Sequence, residues 1–459
     1  MRDLTKGSPA KLILIFTIPL LVGNVFQQFY NMVDMIIVGQ TLGKEALAAV
    51  GSTGSITFLI IGFAQGLSAG LSIITAQRYG AKDYRGVKRS FAVSVLISLL
   101  VTLILTGLSL LLIDPLLQVM QTPADIYNQA KEFITIILGG MVASMAFNLL
   151  SNMIRALGDS RTPLFFLIFA VIINVVLDLV FIQNFGMGVA GAAWATLIAQ
   201  LASSLMCYIY ILRRIPLLQL KKEDFHLTKT EYVTHLNAGL PMAFQSSIIA
   251  IGTVILQTAL NSLGTDVVAA QAAAGRIDQF ATQPMMSFGV TMATFTGQNF
   301  GAKQYQRILT GVRQCLTMSI AFSIVAGIAV IIFGHNFVSL FVSAKETEVF
   351  ALAQTYFNIT ASLYWILAVL FILRYTLQGL GQAKVPTIAG VMELFMRAFA
   401  AIFLTQLMGY PGAVLASPLA WIGSVAVLLY SYVKAMKTLK HLAATQSDVP
   451  EQPKPTPLT

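Results

Sequence analysis

Apolar runs long enough to cross a bilayer recur along the whole chain, and they leave few folds open. Residues 12–33 hold no charged side chain. Spans are expected near 11–38, 47–78, 90–113, 130–154, 162–184 and 189–212, and again near 233–262, 267–299, 310–334, 349–373, 385–407 and 412–436. A helix needs about 20 apolar residues to span the hydrocarbon core, and an open sheet cannot satisfy its backbone in lipid. The expected fold class is therefore all-α and polytopic, with twelve transmembrane helices. Composition agrees, with 56% hydrophobic and 10% charged residues against about 25% charged in soluble proteins. The first run is too long for a cleaved signal peptide and has no small-residue cleavage site, so insertion through it is expected.

The net charge of +10 raises a nucleic-acid reading, and its distribution removes it. With the N-terminus inside, cytoplasmic segments hold 24 of the 29 Lys and Arg, including two in 374–384. Outer loops then hold Lys44, Lys131 and Lys345, and helices hold Arg276 and Arg397. The reverse orientation would break the positive-inside rule, so both termini are expected in the cytoplasm. The basic excess matches anionic lipid headgroups. Cys207 and Cys315 fall in helices of different halves and suggest neither a disulfide nor a metal site. The four His, at 226, 235, 335 and 441, form no cluster and receive no role.

The chain is a duplication. Ala76–Tyr84 (AQRYGAKDY) recurs as Gly297–Tyr305 (GQNFGAKQY) at an offset of 221, and Leu42–Gly43 maps onto Leu263–Gly264 by the same shift. Gly188–Ala195 maps onto Gly409–Ala416, Arg155–Pro163 onto Gln378–Pro386 at 223, and Pro19 onto Pro241 at 222. Six helices separate each pair, so the two halves run parallel. The expected organisation is a six-helix lobe at 1–213, a cytoplasmic linker at 214–231, a pseudo-symmetric six-helix lobe at 232–438 and a disordered cytoplasmic tail at 439–459. Proteins built this way bind cargo between the repeats and rock one against the other.

Asp34 lies near the end of an otherwise uncharged helix, inside the run D-x3-VG-x2-LG-x2-ALAA. An intramembrane carboxylate is costly, and its usual roles are ion binding, proton relay or pairing with a cation. Asp178 and Thr196 fall at a comparable depth, and Asn174 precedes Asp178 by one helical turn. An oxygen-only set of this kind suits a hard cation such as Na⁺, whereas H⁺ needs one carboxylate. The bland readings are a structural pairing for Asp34, a buried hydrogen-bonded pair for Asn174 and Asp178, and a backbone-bonded hydroxyl for Thr196. Gln27 and Asn31 share a stripe with Asp34 and are candidates for lining a cavity, or for packing against a neighbouring helix. Arg276, Asp278, Glu393 and Arg397 sum to zero charge and are expected to form a neutral structural cluster, the alternative being a charge network that opens and closes with cargo.

The Asp34 run, the paired Q-x2-GAK loops and the LG turns before Pro163 and Pro386 resemble the multidrug and toxic compound extrusion (MATE) family over essentially the whole chain except its tail. The resemblance implies a twelve-helix, two-lobe exporter in the plasma membrane that exchanges H⁺ or Na⁺ for small amphipathic, often cationic compounds. It implies a cation site in the N-terminal lobe at Asp34, Asn174, Asp178 and Thr196, and a bending point in the first helix at Pro19. Other members carry acids on helices 7 and 10, where this chain has Gln245, Gln257 and Asn358. No cofactor, nucleic acid or partner subunit is expected, only the coupling ion, the bilayer and the cargo. No nucleophile elbow, phosphate loop or Cys/His ligand set supports an enzyme. The main rival is a lipid-linked oligosaccharide flippase of the same wider superfamily, which should show unpaired basic residues in its cavity. The arginines here are expected to have acids to pair with, which favours the exporter.

Overall fold

The computed structural model describes residues 3–120, 122–340 and 345–447, and among them twelve long helices account for nearly everything. They are α1 (Pro9–Leu42), α2 (Lys44–Gly80), α3 (Tyr84–Leu111), α4 (Tyr127–Gly139 and Met141–Ala156, bent by 45°), α5 (Arg161–Asn184) and α6 (Val189–Arg214). The second set is α7 (Lys229–Asn261), α8 (Thr265–Gly301), α9 (Tyr305–Val338), α10 (Thr347–Gly379), α11 (Lys384–Met408) and α12 (Tyr410–Gln446). Ten are apolar and long enough to cross a membrane, and the bent α4 makes eleven. The remaining one, α8, has the length at 37 residues but carries Arg276 and Asp278. Between α6 and α7 the chain makes two short 3-10 turns, Pro216–Leu218 and Lys222–Phe225. The last helix continues to Ser447 with Leu439 buried, so residues 439–447, expected to be part of a disordered tail, are helical. Residues 448–459 lie outside the described residues.

Backbone conformation repeats with the sequence. Left-handed residues recur as pairs: Gly43 with Gly264, Lys82 with Lys303, Gly158 with Gly381 and Gly188 with Gly409. Two stretches of π-helix recur too, Val180–Asn184 at the end of α5 and Ala400–Leu404 in α11. Pro19 and Pro241 sit inside unbroken helices α1 and α7. Each repeat therefore reproduces the turn chemistry of the other, not only its hydropathy.

The two lobes meet at the end of the bundle that carries the N-terminus, called here the near end. Gln77 donates to the carbonyl of Gly379 at 2.8 Å, and its repeat counterpart Gln298 donates to the carbonyl of Ala156 at 2.7 Å. This exchange needs glycine at 80 and 301. A β-carbon on Gly80 would stand 1.8 Å from the Gln298 carbonyl oxygen, and one on Gly301 would stand 1.7 Å from that of Gln77. Arg78 of α2 pairs with Glu231 of α7 at 2.6 Å. His235, given no role from the sequence, is fully buried behind that pair, bonded to Ser90 at 2.7 Å and to the Glu231 carbonyl at 2.8 Å. The N-terminal segment adds Leu4, whose N–H donates to Gln298 and whose carbonyl accepts from Asn299 and Arg307.

Farther along, α1 runs antiparallel to α8, with Thr17 against Thr291 at 2.8 Å and Asn24 against Ser287 at 3.1 Å. The rings of Phe29 and Phe280 meet one step beyond, 5.6 Å apart. Among the described residues no hydrogen bond joins the lobes past Asn24–Ser287, and Gln257 and Asn261 at the far end of α7 bond each other on an exposed face. The inter-lobe hydrogen bonds are thus gathered toward the near end.

Candidate functional site

Asp34 stands eight residues before the end of α1, about 12 Å from the far end at helical rise. Asp178 lies on α5 immediately before its π-helical stretch, a backbone irregularity that widens the helix and is frequent at functional sites. The two carboxyl groups are close neighbours. Asp178 and Asn174 are fully buried, whereas Asp34 is half-buried. The Asn174 amide donates to Asp178 Oδ2 at 3.0 Å and accepts from the Thr196 backbone N–H at 3.1 Å. The Thr196 hydroxyl donates to the Ala192 carbonyl at 3.0 Å, which leaves its lone pair to accept from the Tyr30 hydroxyl at 3.3 Å.

The four residues expected to share one layer are therefore brought together on α1, α5 and α6. Thr196 satisfies both readings at once, because it bonds its own helix and also faces the cluster. Tyr30 was missed. It precedes Asp34 by four residues, so the helical period that linked Gln27 and Asn31 to Asp34 reaches it as well. Gln27 and Asn31 bond weakly to one another at 3.5 Å on the exposed side of α1 and make no hydrogen bond to the acids.

Asp34 Oδ1 and Asp178 Oδ1 are both buried without a hydrogen-bond partner. Two carboxylates in contact repel unless they share a proton or a cation, so the pair has the chemistry to take up H⁺ or a Na⁺ ion. Asn174, Thr196 and Tyr30 would add neutral oxygens to the shell. Among the described residues no group of three His, Cys, Asp or Glu converges, so a transition-metal site has no ligand set.

The C-terminal lobe differs from expectation. Glu393 does not pair with Arg397. It forms a buried ion pair with Arg374 of α10, a residue read from sequence as a loop charge but only 5% exposed inside the bundle. Arg374 also donates to Ser424 at 3.1 Å and to the Gln245 side chain at 2.9 and 3.2 Å. Asp278 accepts from Tyr364 at 2.7 Å, with Tyr356 alongside, and does not pair with Arg276. Neither Arg276 nor Arg397 enters an ion pair or hydrogen bond among the described residues. The supposed neutral cluster of four is thus one closed ion pair, one acid held by phenols and two unanswered arginines. The reason is geometric: Arg276 and Asp278, two residues apart, point to nearly opposite sides of α8, and Glu393 meets a cation from another helix before the one on its own.

Two repeat-related lobes of six helices, bonded to each other toward one end and carrying an acid pair within the membrane-spanning helices, define a polytopic membrane transporter. The chain belongs to the MatE family, whose profile matches residues 19–180 and 241–403, one stretch in each lobe. It is similar to a probable multidrug resistance protein of Bacillus subtilis, YpnP, at 28% identity over 95% of this chain and 98% of that one. It is also similar to a probable multidrug resistance protein of Thermotoga maritima, NorM, at 24% identity over 90% and 88% of the two chains. Among solved structures, MATE in complex with MaL6 superposes with a TM-score of 0.88 at 24% identity, covering 96% of this chain and 99% of that one. An outward-facing multidrug resistance MATE transporter gives 0.87 at 24% identity, over 95% and 98%. These structures share the fold.

Proposed function

We propose that the protein is a cation-coupled antiporter that exports small amphipathic compounds across the plasma membrane. The observation that carries this reading is the facing pair Asp34 and Asp178, each with a buried oxygen that no protein group satisfies. The names of the relatives support multidrug export, and the charge distribution supports a cytoplasmic near end. In that orientation the inter-lobe glutamine bonds and the Arg78–Glu231 pair lie at the cytoplasmic end. A cation arriving from outside neutralises the acid pair, and α1 responds by bending at Pro19, where the ring leaves the Ile15 carbonyl without its helical partner. The bend and the release of the near-end contacts then expose the cleft to the cytoplasm for the next cargo molecule. The domain boundaries proposed from sequence serve this motion, with 214–231 as the strap between lobes.

Either H⁺ or Na⁺ fits the acid pair. Purified protein in liposomes, given a pH gradient and a Na⁺ gradient in separate experiments, should expel a fluorescent amphiphile under one of them. Expulsion that ignores both gradients refutes the coupling.

The flippase reading also gains an observation. It requires unpaired basic residues at membrane depth, and Arg276 and Arg397 are such residues, contrary to the pairing expected from sequence. Scrambling of a headgroup-labelled anionic lipid between leaflets, with the same liposomes and no amphiphile, distinguishes it from export.

A further inference from the structure

Arg397 is a cation at membrane depth whose charge nothing answers. It extends from α11 toward α7, one turn beyond Glu393, and Glu393 is already committed to Arg374. Its Nε is buried and unbonded. Gly252 of α7 makes room for the side chain: a β-carbon there would stand 3.3 Å from its Nη1 and 3.4 Å from its Cδ. Tyr356 and a second cation, Arg374, lie within electrostatic range. Asp278, the other acid of this lobe's interior, is taken by Tyr364 and Tyr356. With Arg276, Arg374 and Arg397 against Asp278 and Glu393, the lobe holds a surplus of positive charge.

A guanidinium does not shed its proton at physiological pH, so the molecule cannot neutralise Arg397 by titration as it can an acid. Unpaired charge in a transmembrane segment is costly and marks a ligand pathway by default. The N-terminal lobe carries the acid pair, and its buried Arg155 lies at the near end of α4, where it donates to Asn152 at 3.2 Å. We infer that Arg397 is the anion-recognition point of the cargo site, and that the cargo carries a carboxylate, sulfonate or phosphate group on an apolar body. This rests on the exporter reading and departs from the cationic cargo that the family resemblance implied. The guanidinium fork offers paired N–H donors to such a group. Cargo and coupling ion then occupy different lobes, so coupling runs through lobe movement rather than through competition for one carboxylate. A soluble amphiphile and a lipid headgroup both supply this chemistry.

Three pyrene probes of one shape test the inference: 1-pyrenebutanoate, 1-pyrenebutanol and 1-pyrenebutylammonium. Binding is measured by equilibrium dialysis on the detergent-purified protein, with no gradient, so the result does not depend on coupling. The wild type should bind the carboxylate at least tenfold tighter than the ammonium, and Arg397→Gln should lose that preference. Arg397→Gln should unfold at the same temperature as the wild type or higher, because it removes an unanswered charge. Gly252→Ala, which crowds the guanidinium from the neighbouring helix, should weaken carboxylate binding while leaving butanol binding unchanged. Phosphatidylglycerol added in mixed micelles identifies the source: competition with pyrenebutanoate points to a lipid headgroup, and its absence to a soluble amphiphile. Equal binding of carboxylate and ammonium by the wild type overturns the inference, as does an Arg397→Gln protein that keeps the preference. A sharp loss of stability in Arg397→Gln overturns it too, since it would show that the arginine has a structural partner.

Discussion

Removing Arg374 should damage the fold more than removing any other arginine of the C-terminal lobe. Its partner Glu393 has a side chain only 6% exposed, and Arg374 also serves Ser424 and Gln245. Arg374→Met would leave a carboxylate buried without a counter-charge, a change that costs about 3–5 kcal/mol. It would also strand two neutral acceptors, adding about 1 kcal/mol each where no water reaches them. Replacing both members, Arg374→Met with Glu393→Met, removes the stranded charge and should recover most of the loss, because a packed apolar pair is often as stable as a buried ion pair. The assay is reversible unfolding in mixed detergent–SDS micelles, analysed as a double-mutant cycle. A coupling energy of about 3 kcal/mol or more is expected. An Arg374→Met protein as stable as the wild type, or a double mutant worse than both singles, would refute the reasoning.

Other outcomes follow from the same geometry. Tyr30→Phe deletes the hydroxyl that reaches Thr196 and should weaken cation-stimulated efflux by severalfold without loss of folded protein, measured as the half-saturating cation concentration in liposomes. Glu231→Gln breaks the inter-lobe pair with Arg78 and should shift the population toward an open near end, read as faster labelling of a cysteine in place of Leu71, which is buried where α2 packs on Gly239 of α7. Asp114, in the first turn of the short helix Ile113–Val119 between α3 and α4, has its carboxyl held below the ordinary carboxylate range by hydrogen bonds from Lys131 and Tyr127. With the folded value the lower one, the contact stabilises the turn above the unfolded value and is lost as pH falls through the folded one. Lys131→Met should therefore move the Asp114 titration upward, as followed by NMR of labelled aspartate.

Much of the acid site was legible because helical spacing is local. Asn174 and Asp178 are one turn apart, and the depths of Asp34 and Thr196 follow from counting to the helix ends. Tyr30 obeys the same count, but it was not sought, since a lone tyrosine in an apolar helix reads as packing. The C-terminal lobe was read less well for the converse reason. Pairing there is tertiary, and the i,i+4 spacing of Glu393 and Arg397 was a plausible but wrong local signal. Arg374 lies only five residues from the end of α10, so its charge counted toward the loop. The duplication, by contrast, was legible in full, because the glycines and lysines at left-handed positions are dictated by turn geometry that both halves must repeat.

If the Asp34–Asp178 pair carries the coupling cation, as proposed, driven transport must depend on its charge. Asp34→Asn replaces an acid whose charge a proton or Na⁺ can neutralise with an amide that has no charge to offset and no proton to exchange. The decisive measurement compares, in the same liposomes, cargo movement driven by the coupling gradient with cargo exchange at zero gradient. Asp34→Asn should reconstitute normally, still bind cargo, and show no gradient-driven transport. Driven transport by Asp34→Asn at the wild-type rate would contradict the proposal.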